Sequence, residues 1–292
     1  MKSKVWFTRD ITPENVIKLY EAVGKPLPGS VAVKLHSGEK GNQNFIRPEF
    51  WKPVIDYVGG RVVETNAAYP GERNSTEKHR QLIEYHGWSR YFDVDLMDEE
   101  GPDLELPVKN GKHLTVNYAA KHLQNYDSML VLAHFKGHPA GGYGGALKQL
   151  AIGCASADGK CIIHSAGYDK ARSILREHRA TDKDFTESMA DAAGTIVEFF
   201  GGNIVFINVM KNLSVDCDCC AVAEDPCMKD IGMLASLDPV AIDRACMDLI
   251  LQSDDPGKEH FMDRVNSRHG IHTIETAAEH GYGTTEYELI EL

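Results

Sequence analysis

Several features that define common protein classes are missing from this sequence of 292 residues. No apolar run is long enough to span a bilayer, and residues 1–10 are basic but lack the apolar stretch of a signal peptide. Positive charge is scarce, because 31 Lys and Arg residues face 43 Asp and Glu residues, giving a formal net charge of −12. This balance argues against nucleic acid and membranes as partners, but it permits a local basic patch around a small anion. We therefore expect a cytoplasmic protein.

A disulfide framework is also missing. The seven cysteines are odd in number, and a chain of this length folds without disulfide bonds. A protein of a reducing compartment, with some reactive or metal-binding thiols, fits this pattern better than a secreted protein with a disulfide framework. Two thiols are expected to be structural: Cys246 lies on the apolar face of a predicted helix, and Cys161 lies in a strand-like segment, residues 160–164.

Alternating strand-like and helix-like segments predict the fold class. Apolar runs are separated by amphipathic helical segments, and they occur at residues 4–7, 30–36, 61–66, 128–133 and 203–210. This order is typical of an α/β protein with a mostly parallel sheet, flanking helices and right-handed crossovers. An antiparallel insertion is predicted at residues 93–116, and a helix at residues 169–178. We predict a single domain over residues 1–292. This domain could consist of two lobes, residues 1–127 and 128–292, around a cleft.

The most unusual stretch is Asp216-Cys217-Asp218-Cys219-Cys220, directly after a buried-strand pattern. Ionised carboxylates resist burial and crowded thiols oxidise or bind metal, so a soft or borderline cation would stabilise both. In an extended backbone the first two thiols would share one side and the two carboxylates the other. Two thiols supply only half of the usual four ligands, so Cys220, Cys227, Cys154 or a histidine must complete a closed site. The stretch predicts a metal or iron–sulfur site, with spare exposed thiols as the alternative.

A second candidate region follows the run at residues 128–133. His134 and His138 flank Lys136, and Gly144-Gly145-Ala146-Leu147-Lys148 then leads into a helix. A glycine-rich turn lets backbone N–H groups approach an anion at a helix N-terminus, although neither the P-loop nor the dinucleotide fingerprint matches. The histidines are candidates for a general base or a metal ligand. The lysines could hold a carboxylate or phosphate, or form a covalent adduct where the pKa of the amine is depressed.

Further candidates for binding a cofactor lie earlier in the chain and in the glycine-rich turn. They are His36, Glu39, Arg47, Gly144 and Gly145. His36 and Glu39 follow the second predicted strand, where parallel sheets bind ligands, and a plain polar loop is the alternative. Arg47 is a candidate anion clamp or simply the start of a helix.

Several of these motifs occur together in one family. In chain order they are Lys34-Leu35-His36-Ser37-Gly38-Glu39, Arg47-Pro48-Glu49, His134-Phe135-Lys136-Gly137-His138, Gly144-Gly145-Ala146-Leu147-Lys148, Gly153-Cys154-Ala155-Ser156, Asp216-Cys217-Asp218-Cys219 and Ala235-Ser236-Leu237-Asp238-Pro239-Val240-Ala241. In this order, over nearly the whole chain, they resemble the uncharacterised domain family numbered 362, a domain of unknown function. The resemblance implies an iron–sulfur or metal association, but no settled reaction. Many members carry an inserted ferredoxin-like module; this chain has residues 168–200 at that place and resembles a short form.

A shorter likeness concerns the glycine-rich turn alone. Gly144-Gly145-Ala146-Leu147-Lys148 is similar to the Gly-Gly-x-Lys region of nickel-pincer lactate racemases, in which a lysine carries the cofactor and histidines serve as bases. This likeness implies Lys148 or Lys136 as the attachment point and His134 or His138 as the base.

The leading hypothesis is a metal- or iron–sulfur-dependent enzyme that acts on a small anionic molecule, with a redox protein as a further partner. Its catalytic residues would be His134, Lys136, His138 and Lys148, and its metal ligands Cys217, Cys219, Cys220 and Cys154. The cofactor would be an iron–sulfur cluster or a single zinc, iron or nickel ion, because mixed thiolate, imidazole and carboxylate ligands suit all three metals. The alternatives are a non-catalytic metal or cluster carrier, a structural zinc clip and a racemase-like enzyme with a lysine-attached cofactor.

Overall fold

The fold is built around one large β-sheet. The structure, a computed structural model, describes residues 2–177 and 179–292. The strands of these residues are β1 (Ser3–Thr8), β2 (Val31–Lys34), β3 (Arg61–Glu64), β4 (Asp95–Leu96), β5 (Leu104–Pro107), β6 (Val116–Ala119), β7 (Ser128–His134), β8 (Lys136–His138), β9 (Gly142–Gly144), β10 (Ile204–Met210), β11 (Gly232–Ser236) and β12 (Tyr287–Glu291). The large sheet has the order β12-β1-β11-β10-β7-β2-β3-β4. Strand β11 is antiparallel to both neighbours and every other adjacent pair is parallel, which confirms the predicted mostly parallel α/β fold.

Helices cover both faces of this sheet. They are α1 (Pro13–Val23), α2 (Pro48–Val58), α3 (Thr76–Tyr85), α4 (Ala146–Cys154), α5 (Ala157–His164), α6 (Ile174–Glu177), α7 (Asp182–Phe199), α8 (Pro239–Gln252), α9 (Lys258–Ser267) and α10 (Ile271–Glu279). Local signals fix their ends. At the start of α1 the Thr12 hydroxyl accepts a hydrogen bond from the Asn15 amide, and Gly24 ends the helix in the left-handed conformation, with φ 69°.

The central strands are buried on both faces. On β7, Leu130 and Leu132 join residues of α1 and α2 in one apolar core. Met129 and Val131, which point to the opposite face, join residues of α4, α7 and α8 in a second core. Because neither face meets water, such strands are apolar at nearly every position, and this is why the sequence reveals them as continuous apolar runs.

The strand order opens a crevice in the middle of the sheet. From β2 the chain builds outward through β3 to β4, and it then returns to place β7 on the other side of β2. The segments that leave β2 and β7 at their carboxyl ends therefore diverge. Such a topological switch point is where open parallel sheets bind their ligands.

One prediction is wrong. Residues 160–164, which have a strand-like composition, are helical and form the second half of α5. The helix begins at Ser156, whose hydroxyl accepts a hydrogen bond from the Gly159 amide at 3.0 Å. This capping interaction outweighs the short apolar run, which cannot by its pattern alone distinguish a strand from a buried helix. Cys161 is buried on this helix.

The insertion predicted at residues 93–116 is divided between two sheets. Strands β5 and β6 form a separate antiparallel pair, whereas β4 joins the large sheet parallel to β3. The helix predicted at residues 169–178 is shorter in the described residues, where it consists of α6, and His178 lies outside them.

Strands from both sides of residue 127 share the large sheet. The division into lobes 1–127 and 128–292 stays a prediction. Among the helices described here, none is long and apolar enough to cross a membrane.

We predict that Gly137→Ala destabilises the fold. Gly137 lies in β8, where its amide donates a hydrogen bond to the Ser214 carbonyl at 2.8 Å. An added Cβ would lie 2.3 Å from the Val215 carbonyl oxygen, so the two backbones would have to separate. We expect the free energy of unfolding in urea to fall by about 1–3 kcal/mol, the usual cost of overpacking.

Gly71→Ala is the matched control, because its added Cβ would meet nothing closer than 3.5 Å. Equal stability of the two variants would contradict the close approach at Gly137.

Candidate functional site

A cavity of about 300 Å³ lies at the crevice beside the carboxyl ends of β2, β3 and β7. The polar side chains that line it are Lys34, His36, Glu64, Thr65, Tyr69, Arg73, Lys136, His138, Lys148, Gln149, Lys160, His164, Cys219 and Cys220. The size suits a small metabolite rather than a polymer, and a mixture of apolar wall and converging polar groups is typical of ligand sites.

The thiol-rich stretch forms one wall of this cavity as a tight turn. The Cys220 amide donates a hydrogen bond to the Cys217 carbonyl at 2.9 Å, and the Cys219 amide donates to the Cys217 sulfur at 3.4 Å. The Asn42 side-chain amide donates to both carbonyls, Cys217 O and Cys220 O, and fastens the turn to the loop after β2. Because the backbone is turned rather than extended, the two carboxylates do not share one side. Asp218 is buried, whereas Asp216 pairs with Arg264 at 2.9 Å.

One group of metal-ligand atoms lies at this wall. The sulfurs of Cys217 and Cys219 and a ring nitrogen of His138 all lie within 4.8 Å of one another. Burial raises the pKa of the Cys217 thiol, so a cation would have to supply the energy to deprotonate it. Cys217 and Cys220 also have the Cys-x-x-Cys spacing that metal sites use.

The proton position on His138 limits how this group could bind a metal. His138 Nδ1 accepts hydrogen bonds from the Ala140 amide at 3.1 Å and the Gly141 amide at 2.9 Å. The proton of the neutral ring is therefore on Nε2, which lies 3.7 Å from the Cys219 sulfur. A histidine that binds metal through Nε2 normally carries its proton on Nδ1. The two thiols are therefore suited to bind a metal, whereas His138 is suited to donate a hydrogen bond from Nε2 to the Cys219 sulfur.

Burial also keeps His138 neutral. Desolvation, with the nearby Lys148 ammonium, lowers the pKa of the ring to about 4. A ring that accepts two amide protons at Nδ1 does not readily take up another, and this disfavours a role as the base that activates a cysteine.

His134 lies behind the cavity wall, and both of its ring nitrogens form hydrogen bonds. Nδ1 lies 2.9 Å from Asp218 Oδ1, and Nε2 lies 2.6 Å from the Lys211 carbonyl oxygen. Both partners are acceptors, so both ring nitrogens donate. The Lys136 ammonium completes this cluster 3.0 Å from Asp218 Oδ2. Although burial by itself raises it, the two cations hold the pKa of Asp218 well below its usual range.

Three of the five cations that line the cavity have carboxylate partners. Lys34 pairs with Glu64 at 2.8 Å, Arg73 with Glu39 at 3.2 Å, and Lys136 with Asp218 at 3.0 Å. The other two are Lys148 and Lys160, and neither has a carboxylate partner within the described ranges, 2–177 and 179–292. The cavity wall therefore carries an excess of positive charge in a protein of net charge −12.

The helix N-terminus next to the glycine-rich turn is already occupied by the protein's own anion. The buried Asp243 carboxylate accepts hydrogen bonds from the Ala146 amide at 2.8 Å and the Leu147 amide at 3.0 Å. Asn208 and the Tyr143 hydroxyl donate to the same carboxylate. Burial nevertheless raises the pKa of Asp243 to about 6. The first turn of α4 is thereby fixed, and Lys148 follows on this helix.

The other predicted site residues fall into three groups. His36, Gly144 and Gly145 line the cavity, and His36 Nδ1 accepts a hydrogen bond from the Gly38 amide at 3.0 Å. Arg47 is exposed, with its guanidinium 3.9 Å from the centre of the Phe45 ring. The remaining two are Glu39, which binds Arg73, and Cys154, which is buried in the core at the end of α4. Their assigned roles stay predictions.

The sequence reading missed several residues that line the cavity. Lys160 and His164 lie one turn apart on α5, and Tyr69 and Arg73 follow β3. The misassigned strand concealed the first two. The capping pattern at Ser156, with an acidic residue in the first turn, was the signal that could have placed them on a helix.

In the described part of the chain, two other groups of ligand-type side chains lie outside the cavity. They are Asp95, Glu99 and His122, and His113, Asp184 and Glu187. Cations of the protein already contact both groups, since Arg80 binds Glu99 and Lys112 binds Glu187 at 3.2 Å.

Comparison with known proteins yields one family, and the similar solved structures include the following two. The sequence profile of the domain of unknown function DUF362 matches residues 31–248. A Thermotoga maritima protein is similar at 12% identity, over 91% of this chain and 58% of that one, with a TM-score of 0.44. The lactate racemase apoprotein from Thermoanaerobacterium thermosaccharolyticum is similar at 12% identity, over 70% of this chain and 50% of that one, with a TM-score of 0.41. The chain thus spans about half the length of either structure, and no curated protein matches it.

We predict that Asp218→Asn is strongly destabilising at neutral pH. The substitution would leave two buried cations, His134 and Lys136, without their carboxylate, and breaking such a cluster costs about 3–5 kcal/mol. Because the folded-state pKa of Asp218 is lowered, its stabilisation is present above the unfolded pKa and declines as the pH falls below about 4. Unfolding in urea at several pH values should therefore show the two proteins converging in acid.

Asp216→Asn is the control, because its side chain is 16% exposed and pairs with a single, partly exposed cation, Arg264, and we expect a smaller loss of about 1 kcal/mol. A constant difference between wild type and Asp218→Asn down to the lowest accessible pH would contradict this account.

Proposed function

The chain belongs to the DUF362 family, which does not itself specify a reaction, and we propose that it is an enzyme acting on a small anionic molecule in the cavity. In this proposal the thiolates of Cys217 and Cys219 hold a single transition-metal ion at the cavity wall. The observation that carries the proposal is Lys148, which lines the cavity without a carboxylate partner among the described residues.

Electrostatics support an anionic ligand. Burying an ammonium group without a counter-ion is costly, and a protein retains such a group where a ligand supplies the negative charge. Three of the carboxylates near the cavity are already neutralised by Lys34, Arg73 and Lys136. An incoming anion would therefore meet uncompensated positive charge, in a site where the surrounding protein screens it poorly.

The chain's own residues would divide the work as follows. Lys148 would bind the anionic group of the ligand, and the His138 N–H would stabilise the Cys219 thiolate by donating a hydrogen bond. Lys136 and Asp218 would hold the loop after β7 against the thiol turn. When bound, a metal ion would supply Lewis-acid or redox chemistry.

Burial supports an enzyme over a metal carrier. A carrier must present its thiols to a partner, whereas Cys217 is 0% exposed and Cys219 and Cys220 are only partly exposed, at the cavity wall. A ligand-sized cavity beside the thiols also has no use in simple metal delivery.

A lysine-attached cofactor is the second candidate. The specific observation in its favour is the Lys148 amine, which has no hydrogen-bond or ion-pair partner in the described part of the chain and lines the cavity. A covalently bound cofactor would remain on the protein after denaturation, so the mass of the intact purified chain tests this alternative.

We predict that Lys148→Met weakens anion binding about 10- to 100-fold, the loss that accompanies removal of one charge-assisted hydrogen bond. Oxalate and inorganic phosphate serve as probes, measured by isothermal titration calorimetry. Lys52→Met is the matched control, since Lys52 forms an exposed pair with Asp56 on α2. Equal affinity of wild type and Lys148→Met would contradict the proposed anion site.

We predict that Cys217→Ser and Cys219→Ser each abolish stoichiometric metal binding, because each removes one of two thiolates. The measurement is elemental analysis with an absorption spectrum, on protein purified without oxygen and without a metal-binding tag. Cys161→Ser, on α5, should leave the metal content unchanged.

Unaltered metal stoichiometry in both variants would refute the thiolate site. Acid-labile sulfide together with iron would replace the single ion by an iron–sulfur cluster.

A further inference from the structure

Lys160 is unusual among the lysines of the cavity. It lies on α5 and is only 8% exposed. Lys34 and Lys136 are also buried, but each contacts a carboxylate within 3.0 Å, whereas Lys160 has no carboxylate partner within the described residues.

The hydrogen bonds of Lys160 match a neutral amine. Its Nζ lies 2.7 Å from the Thr65 hydroxyl and 2.7 Å from the Ala155 carbonyl oxygen. Thr65 donates its own proton to the Gly153 carbonyl at 3.1 Å, so toward Lys160 it can only accept. Two N–H groups of Lys160 thus satisfy both acceptors. The remaining position on nitrogen is a lone pair in the neutral amine; in the ammonium ion it is an N–H for which the described residues supply no acceptor.

The electrostatic surroundings also shift the equilibrium of Lys160 toward the neutral form. Burial, followed by the repulsion of Lys34 and Arg73, lowers the pKa of Lys160 to about 8, against the attraction of Asp98 and Glu64. An appreciable fraction of the amine is therefore unprotonated near neutral pH. The titratable groups that face Lys160 from neighbouring elements are Lys34, Glu64, Arg73, His79, Asp98 and Cys154, while Lys148 and Arg179 face His164 on the same helix.

We propose that Lys160 is the nucleophile of the cavity and forms an imine with the carbonyl group of a small oxo acid. This inference rests on the proposed function and defines its substrate class. The Nζ lone pair attacks the carbonyl carbon and a C–N bond forms. The carbonyl oxygen then leaves as water with the two protons of the amine, so no oxidant or reductant is required.

The cavity supplies both groups that such a substrate needs. The Lys148 ammonium, which lines the same cavity, would bind the carboxylate and leave the carbonyl to Lys160. His164 lies four residues beyond Lys160, on the same face of α5, and also lines the cavity. Its ring stacks on Phe185 at 4.4 Å, and burial, together with Lys148, lowers its pKa to about 3. A neutral imidazole in this position can relay the protons that leave with water.

The test is reductive trapping. Wild-type protein is incubated with pyruvate, glyoxylate or 2-oxoglutarate in the presence of cyanoborohydride, and the adduct is located by intact mass and peptide mapping. We expect one adduct per chain, on Lys160. The rate of trapping should rise with pH and level off above about 8, whereas a lysine of ordinary pKa continues to rise toward about 10.4.

Variants separate the roles of the two lysines. Lys160→Met and Lys160→Arg should both lose the adduct, and the arginine variant keeps a donor for Thr65 and Ala155 if the methionine variant unfolds. Lys148→Met should still form the adduct, but with a half-saturating pyruvate concentration about 10-fold higher, which corresponds to about 1.4 kcal/mol. Lys52→Met should behave as wild type.

The outcomes distinguish this inference from the proposed function. An adduct that persists in Lys160→Met and Lys160→Arg would overturn the inference. Calorimetric binding of the oxo acids without trapping at Lys160 would also overturn it, while leaving the anion-binding function intact. If neither the oxo acids nor oxalate bound, both proposals would fall.

Discussion

Asp218 holds together the three segments that form the candidate site. Its carboxylate contacts His134 and Lys136 after β7, its own backbone is part of the thiol turn, and its carbonyl accepts the Glu39 amide of the loop after β2 at 2.8 Å. A buried carboxylate is tolerated only when it is paired, and here two cations are bound by one acid. The positions of the thiols, of Lys136 and of Arg73 through Glu39 all depend on this one group.

Much of the fold could be predicted because local chemistry and burial agree. Central strands such as β7 and β10 are buried on both faces, and helices begin at capping residues such as Thr12 and Asp238 and end at glycines such as Gly24. The carboxyl ends of β2 and β7 were likewise predictable as ligand positions, since the strand-helix alternation implies a parallel sheet. The resemblance to the domain family was confirmed by the family match over residues 31–248.

The rest could not be read from the sequence because it depends on contacts between distant residues. The proton on His138 is fixed by the amides of Ala140 and Gly141, and this geometry exists only once the loop has folded. Lys136 was, with Lys148, one of two candidates for a covalent adduct, but Asp218, 82 positions later in the chain, holds it as an ion pair. Lys160 lies in a segment whose Ile162 and Ile163 favour a strand. The segment is nevertheless helical, because Ser156 caps the N-terminus of α5.

Asp243 illustrates how a fold gives up stability to position a functional element. Its folded-state pKa is raised to about 6, so its contribution to stability is fully present below the unfolded pKa and is lost as the pH rises through about 6. At neutral pH the chain therefore keeps a buried, ionised carboxylate at a position where an apolar side chain would stabilise the fold more. This carboxylate, which also accepts a hydrogen bond from Asn208 of β10, connects α8 to the first turn of α4. The turn is thereby held in place, and so is Lys148, which follows on the same helix at the cavity wall.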